Sequence, residues 1–145
     1  IAEAGNINQA IDSLKQLLFE YPHTHSKLHK LLAKLLFKSK DFARAAEHAQ
    51  AYMDSHPNDL SFMELTSNLW RKAGNTIQAI EIAERIRLRD PNQIKNKFHL
   101  IRLYLMSGNI PRAQSILNEC KENMSPEQDE KWKKLKLALI RKSVS

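Results

Sequence analysis

Glycine, cysteine and long apolar runs are scarce in this 145-residue chain. Three glycines leave no material for a glycine-rich phosphate loop, and one cysteine excludes an internal disulfide framework and a thiolate metal cluster. No apolar run approaches the ~18 residues that a membrane span needs. Acidic residues are missing from 25–40 and 93–107, although the whole chain carries 16 of them. These absences exclude several kinds of site and point to a basic chain.

Candidate reactive groups are few, and none is arranged as a nucleophile with its base, so we predict no catalytic residue and no cofactor. Three histidines, His23, His25 and His29, cluster near a proline, but their spacing fits no compact metal site, and we expect surface histidines and no metal. Cys120 falls on an apolar stripe with Ile116 and Leu117. It is predicted to be a small buried apolar residue.

An internal repeat is the strongest positive signal in the sequence. Four alanines recur at spacings of 35, 34 and 34 residues, each inside a similar local frame that contains Asn or Asp. They are Ala10, Ala45, Ala79 and Ala113, and the first three are followed twelve residues later by Pro22, Pro57 and Pro91. A fixed period of this length is typical of a stacked helical repeat.

Each repeat is predicted to be a hairpin of two antiparallel helices. Apolar residues three and four apart precede the frame, as in the run from Leu28 to Leu36, and follow it, as in the run from Ile80 to Ile86. Gly74 and Gly108 lie where a chain leaving a helix takes a left-handed conformation, and prolines close the second helices. The recurring alanines fit where two helices cross closely. Stacked hairpins bury a continuous core and form a superhelix with a concave face.

This pattern resembles the tetratricopeptide repeat family over about residues 1–125. The matching features are small first-helix residues at Ala33 and Ser67, the four turn-and-alanine frames, and the closures Pro57-Asn58 and Pro91-Asn92. Departures are Lys40 in place of the turn glycine, one extra residue in 22–57, Ile101 at a small-residue position, and Ser125-Pro126 in place of Pro-Asn. Pentatricopeptide repeats are the nearest alternative, but His56 and Asp90 stand where those usually place glycine. The resemblance implies an all-α, right-handed superhelix of helix hairpins.

The predicted layout places a second helix of a truncated repeat in 1–24 and three repeats in 25–57, 58–91 and 92–125. Residues 1–4 are interpreted as the last turn of a first helix that ends at the Gly5 turn, as expected of a fragment of a longer protein. A further helix is predicted in 126–145, with Ser125 as its N-cap, Pro126 in its first turn and an apolar stripe through Trp132. It is interpreted as a capping helix, with the first helix of another repeat as the alternative.

The net charge of +7 is unevenly distributed. Residues 25–40 contain five lysines, and residues 93–107 contain Lys95, Lys97 and Arg102, whereas 59–73 are balanced. The family resemblance implies that first helices line the concave groove, and it assigns the groove residues to this chain position by position. They are Lys27, Lys30, Lys34, Phe37, Lys38, Asn68, Arg71, Lys72, Lys95, Phe98 and Arg102, together with Glu64 and Leu105.

A concave basic surface concentrates its field and attracts anionic ligands, so the expected partner is an acidic protein or peptide segment. The alternative interpretation of the lysines is a solvated helix face. A family subgroup clamps the carboxylate of chaperone tails, but Leu65 replaces an Asn of that clamp and offers no hydrogen bond.

The predicted function is a non-catalytic protein-interaction module. Two alternatives remain open: binding of single-stranded RNA, and a scaffold or dimerisation segment of an enzyme or export assembly. RNA binding would rest on phosphate contacts, but only Phe37 and Phe98 are available in the groove for base stacking. The sequence indicates no compartment.

Overall fold

Helices make up the regular structure of this protein. The computed structural model describes residues 2–20, 26–120 and 124–144, and within them the chain forms eight α-helices and no strand. The predicted all-α fold of helix hairpins is therefore confirmed. The helices are α1 (Ala2–Glu20), α2 (Ser26–Lys38), α3 (Phe42–Ser55), α4 (Leu60–Lys72), α5 (Thr76–Arg89), α6 (Ile94–Ser107), α7 (Ile110–Glu119) and α8 (Pro126–Ser143).

The chain divides into two compact units, Ile1–Asn75 and Thr76–Ser145. In the first unit, α2 packs against α1 and α3, and α3 also packs against α4. In the second unit, α6 packs against α5, α7 and α8, and α8 also packs against α7. The division falls between α4 and α5, inside the segment 58–91 that the sequence assigns to one repeat. The repeat boundaries themselves stay a prediction.

Three helix-ending turns have the same backbone conformation. Gly74 and Gly108 are left-handed, with φ of 87° and 80°, and Lys40 is left-handed as well, with φ of 65°. In each turn the next residue donates its N–H to a carbonyl five residues back, at 2.9 Å. These bonds run from Asp41 to Leu36, from Asn75 to Trp70 and from Asn109 to Tyr104. Lys40 thus performs the role of the turn glycine, at a conformational cost that glycine avoids.

The Asp or Asn that follows a turn also starts the next helix. Asp41 accepts a hydrogen bond from the N–H of Arg44 at 3.3 Å, and Asn109 accepts one from the N–H of Arg112 at 3.2 Å. Each side chain satisfies a backbone donor that the first helical turn leaves unpaired. The Lys40-Asp41 and Gly108-Asn109 pairs therefore each end one helix and cap the next within two residues.

The repeated alanines lie in the cores of the units. Ala45, Ala79 and Ala113 are all 0% exposed, whereas Ala10 is only partly buried. The first-helix positions Ala33, Ser67 and Ile101 are also buried, so the large Ile101 is accommodated where smaller residues stand in the other two repeats. Larger side chains at the fully buried alanines would have to displace neighbouring core atoms.

The predicted turn at Gly5 is wrong. Residues 2–20 form one continuous helix, α1, and Gly5 lies within its first turns. Continuing the helix through a glycine costs only about 1 kcal/mol relative to alanine.

The last helix, α8, is fixed to the second unit by its predicted apolar stripe. Leu135 and Leu139 are buried, and the indole Nε1 of Trp132 donates a 2.9 Å hydrogen bond to the carbonyl of Leu117 in α7. Ser125 caps the helix as expected, and Gln128 completes a capping box by accepting a hydrogen bond from the Ser125 N–H at 2.9 Å. The start and the packed face of α8 are both well defined.

Candidate partner-binding surfaces

The first unit contains a cavity of about 310 Å³ between α2 and α4. Three of the predicted groove residues, Lys34, Phe37 and Lys38, line it. The rest of the lining is mainly aliphatic and consists of Leu31, Ala33, Leu35, Leu65 and Leu69. The cavity is therefore mainly apolar. The ammonium groups of Lys34 and Lys38 and the exposed side chains of Leu31 and Phe37 all come from α2.

Two of the predicted groove lysines lie over aromatic rings in this unit. The Nζ of Lys30 is 5.1 Å from the ring centroid of Tyr52 and 5.6 Å from that of Phe62. The Nζ of Lys72 is 4.9 Å from the centroid of Phe37. Cation–π contacts of this kind hold the ammonium groups in place, so these lysines are less free to reach a ligand than Lys34 or Lys38.

The remaining predicted groove residues of the first unit do not line this cavity. Lys27 is exposed near the start of α2, and Asn68 and Arg71 are partly buried on α4. Their placement in a binding groove stays a prediction that rests on the family resemblance.

The second unit contains a cavity of about 380 Å³ between α6 and the beginning of α8. It brings together three of the four groove residues predicted in α6, namely Lys95, Phe98 and Arg102, whereas Leu105 is buried and does not line it. The other lining residues are Ile94, Ser125, Glu127, Gln128 and Lys131. Phe98 is only 3% exposed, so it forms part of the cavity floor and offers no free ring face.

The basic residues that α2 and α6 contribute to these cavities lack the ion pairs that two lysines of α8 form. Lys131 and Lys133 pair with Glu127 and Asp129 one turn earlier, at 3.8 and 3.1 Å. No ion pair among residues 2–20, 26–120 and 124–144 involves Lys34, Lys38, Lys95 or Arg102. Their charges are therefore available to an external anion.

Sequence reasoning missed the apolar half of the first cavity. Leu31 and Leu35 were assigned to the core stripe of α2, and Leu65 was noted only as a departure from a carboxylate clamp. The available signal was the width of the apolar surface on α2, where five leucines between Leu28 and Leu36 exceed what one packed face needs. The structure buries Leu32 and Leu36 and leaves Leu31 46% exposed.

An ion-pair network joins three helices of the second unit. The phenol of Tyr104 donates a 2.6 Å hydrogen bond to Glu84, which also accepts from Arg87 at 2.9 Å and from Arg112 at 3.2 Å. Burial by itself raises the pKa of the Glu84 carboxyl, but the donors Tyr104 and Arg87 and the nearby guanidinium charges outweigh it and lower the pKa. The network holds α5 against α6 and α7.

The cysteine and the histidines considered as reactive or metal-binding groups form no such site in the described part of the chain. The Cys120 thiol is 0% exposed and donates to the carbonyl of Ile116 at 3.3 Å, and burial raises its pKa to about 11. Cys120 is thus confirmed as a buried apolar residue. His29 lies with its Nδ1 2.9 Å from the Nδ1 of His48, while His23 and His25 fall outside the described residues. In the described part of the chain, no three metal-binding side chains converge.

Comparison with known proteins confirms the family. Residues 2–66 match the family model described as Tetratricopeptide repeat. The resemblance to the tetratricopeptide repeat family seen in the sequence is therefore confirmed. No curated protein matches the sequence. Within the described ranges, no helix is long and apolar enough to cross a membrane.

Solved structures show the same fold over most of the chain. A tetratricopeptide repeat protein from Parabacteroides merdae superposes with a TM-score of 0.75 at 16% identity and 98% coverage of this chain. The chain spans 56% of the length of that protein. The Yersinia enterocolitica type III secretion chaperone SycD, solved with a peptide of the translocator YopD, gives 0.65 at 20% identity, covering 80% of this chain and 90% of SycD. PcrH, solved with the chaperone binding region of PopD, gives 0.64 at 16% identity, covering 80% and 89%.

Proposed function

We propose that this protein is a non-catalytic interaction module that binds acidic segments of a partner protein, at the basic surface of α2 in the first unit and at that of α6 in the second. The observation that carries the proposal is the set of exposed, unpaired cations at the two cavities: Lys34 and Lys38 in the first unit, Lys95 and Arg102 in the second. The opposite faces of α2 and α6 are buried in the apolar cores of their units. Glu127 is the one acidic residue among the described side chains that line the two cavities, and it pairs with Lys131.

The fold neighbours support the same class of function. SycD and PcrH have this fold and were solved with segments of the proteins that they bind. Both are covered almost completely by this chain, so a structure of this size suffices for recognition of a peptide in those proteins. We infer recognition of a partner segment here by analogy of fold, and the acidic character of that segment from the charges of this chain.

Single-stranded RNA is the competing anionic ligand, and the aromatic residues argue against it. Sequence-tolerant RNA binding uses exposed rings on which bases stack. Phe98 is buried in its cavity, and Phe37 has its ring beneath the ammonium group of Lys72. Phe98 therefore offers no free ring face, and the ammonium group of Lys72 already occupies a face of Phe37.

Fluorescence anisotropy with labelled probes of equal length tests the proposal. The probes are an acidic peptide pool, a basic peptide pool of the same apolar content, and a single-stranded RNA pool. The proposal expects binding of the acidic pool, weaker binding of the RNA pool and no binding of the basic pool. Equal or tighter binding of RNA, or equal binding of both peptide pools, would contradict it.

A further inference from the structure

The cavity between α2 and α4 has an apolar character that the proposed function does not use. Leu31 and Phe37 on α2 are 46% and 39% exposed, and Leu65 and Leu69 of α4 form the facing wall. Apolar area in water is unfavourable by roughly 25 cal/mol per Å². Exposed apolar surface that is concave and bordered by polar groups is typical of interaction sites.

The residues that border this cavity on α2 include two lysines. Lys34 and Lys38 are one helical turn apart, both exposed, and both part of the lining. No acidic residue occurs anywhere in 25–40, so α2 itself offers no neutralising partner. The cavity volume of about 310 Å³ lies at the lower limit of ligand pockets, which run from ~300 to ~1,000 Å³. A cavity of this size suits one large side chain better than an extended apolar stretch.

We infer that this cavity binds one apolar anchor residue of a partner segment, with acidic residues within two positions of the anchor paired to Lys34 and Lys38. The inference rests on the proposed function, and it specifies the chemistry of the partner at one site. Charge complementarity selects the acidic neighbours, and the leucine-lined wall selects the anchor. Lys30 and Lys72 are not part of this recognition, because their ammonium groups already lie over aromatic rings.

Selection from a displayed library of random twelve-residue peptides, using the full chain as bait, tests the inference. The expected consensus is a single apolar residue flanked by Asp or Glu. Selected peptides should bind the Lys34→Gln/Lys38→Gln variant about tenfold more weakly, as two exposed ion pairs would allow. Leu31→Gln should weaken the same peptides, since it makes the apolar wall polar without disturbing a buried core residue.

Matched controls separate the site from general effects. Arg85→Gln/Lys134→Gln removes the same two charges from exposed positions outside both cavities, and Leu88→Gln places the same change on a leucine that is 78% exposed. Both controls should leave the affinity unchanged. Selected peptides that carry acids but lack the anchor, or that bind the cavity variants normally, overturn the inference and leave the proposed function standing. Selected peptides that lack the acids overturn both. A library that yields no binder overturns both.

Discussion

The hydroxyl of Tyr104 lies 2.6 Å from a carboxylate oxygen of Glu84, and this contact joins α6 to α5 in the second unit. Glu84 also accepts hydrogen bonds from Arg87 and Arg112, so a single carboxylate organises three helices. The repeat pattern does not predict this network, because Tyr104 and Arg112 lie 20 and 28 residues from Glu84 in the sequence. It has a consequence for stability at acidic pH.

The first prediction concerns loss of stability in acid. In the unfolded chain the Glu84 carboxyl has its ordinary pKa of 4.5, and in the folded chain its pKa is lower. Below pH 4.5 the unfolded chain therefore binds a proton that the folded chain does not, and stability falls as the pH drops through the folded pKa. The contribution is fully present at pH 7. Glu84→Gln should cost about 1–2 kcal/mol at pH 7, with a smaller difference from the parent at pH 3, measured by urea titration.

Glu81 provides the control for this prediction, because it is exposed on the same helix. Glu81→Gln should change the free energy of unfolding by less than about 0.5 kcal/mol at either pH. If Glu84→Gln and the parent differ by the same amount at pH 7 and pH 3, the network does not set the acid dependence.

The second prediction is a stabilising substitution at Lys40. A left-handed conformation costs a residue with a Cβ atom roughly 1–2 kcal/mol, and glycine recovers part of that at the cost of backbone entropy. Lys40→Gly should raise the free energy of unfolding by about 0.5–1 kcal/mol. The reverse change, Gly74→Lys, should lower it by a similar amount, since a Cβ atom at Gly74 meets no other atom within 4 Å. Thermal melts of both variants decide whether the two turns are equivalent, and a destabilised Lys40→Gly protein would show that they are not.

The third prediction concerns the recurring alanines. Ala113 is 0% exposed between packed helices, so Ala113→Leu should destabilise the protein by roughly 1–3 kcal/mol through overpacking. Ala10 occupies the same frame position but is only partly buried, and Ala10→Leu should cost less than about 0.5 kcal/mol. Equal melting temperatures for the two variants would mean that the alanine position is not sterically tight.

The fourth prediction concerns the packing of α8. Leu135 and Leu139 are 7% and 4% exposed, whereas Leu137 on the same helix is 54% exposed. Replacement of either buried leucine with alanine should cost about 2–5 kcal/mol, and Leu137→Ala should cost less than about 0.5 kcal/mol. Chemical denaturation compares three identical substitutions on one helix. Equal losses of stability from all three alanine substitutions would contradict the packing of Leu135 and Leu139 against the second unit.

Much of the fold was predictable because the repeat signals are local. A left-handed residue, a capping Asn or Asp and a buried alanine lie within six residues of one another, so each frame specifies its own turn and helix start. The Gly5 frame misled because a Gly-Asn pair can also lie inside a continuous helix, as Gly5 does in α1. The capping box at Gln128 was missed, although its spacing from Ser125 was visible.

The candidate site was less predictable for a geometric reason. Position in the repeat identified candidate groove residues, and the linings of the two cavities contain six of the thirteen that were named: Lys34, Phe37, Lys38, Lys95, Phe98 and Arg102. Which leucines of α2 remain exposed depends on how α2 packs against α1 and α3, and the stripe pattern does not specify this. The cation–π contacts of Lys30 and Lys72 are tertiary contacts, so sequence alone could not separate these lysines from the free ones.

The most direct test of the central claim is the salt dependence of acidic-peptide binding by the parent and by Lys34→Glu/Arg102→Glu. Each cavity loses an unpaired cation in this variant, and both positions are exposed, so the helical circular dichroism signal should not change. We predict weaker binding with a flatter dependence on salt, because fewer ion pairs form with the peptide. Binding with unaltered affinity and salt dependence would show that the partner lies elsewhere and would contradict the proposed function.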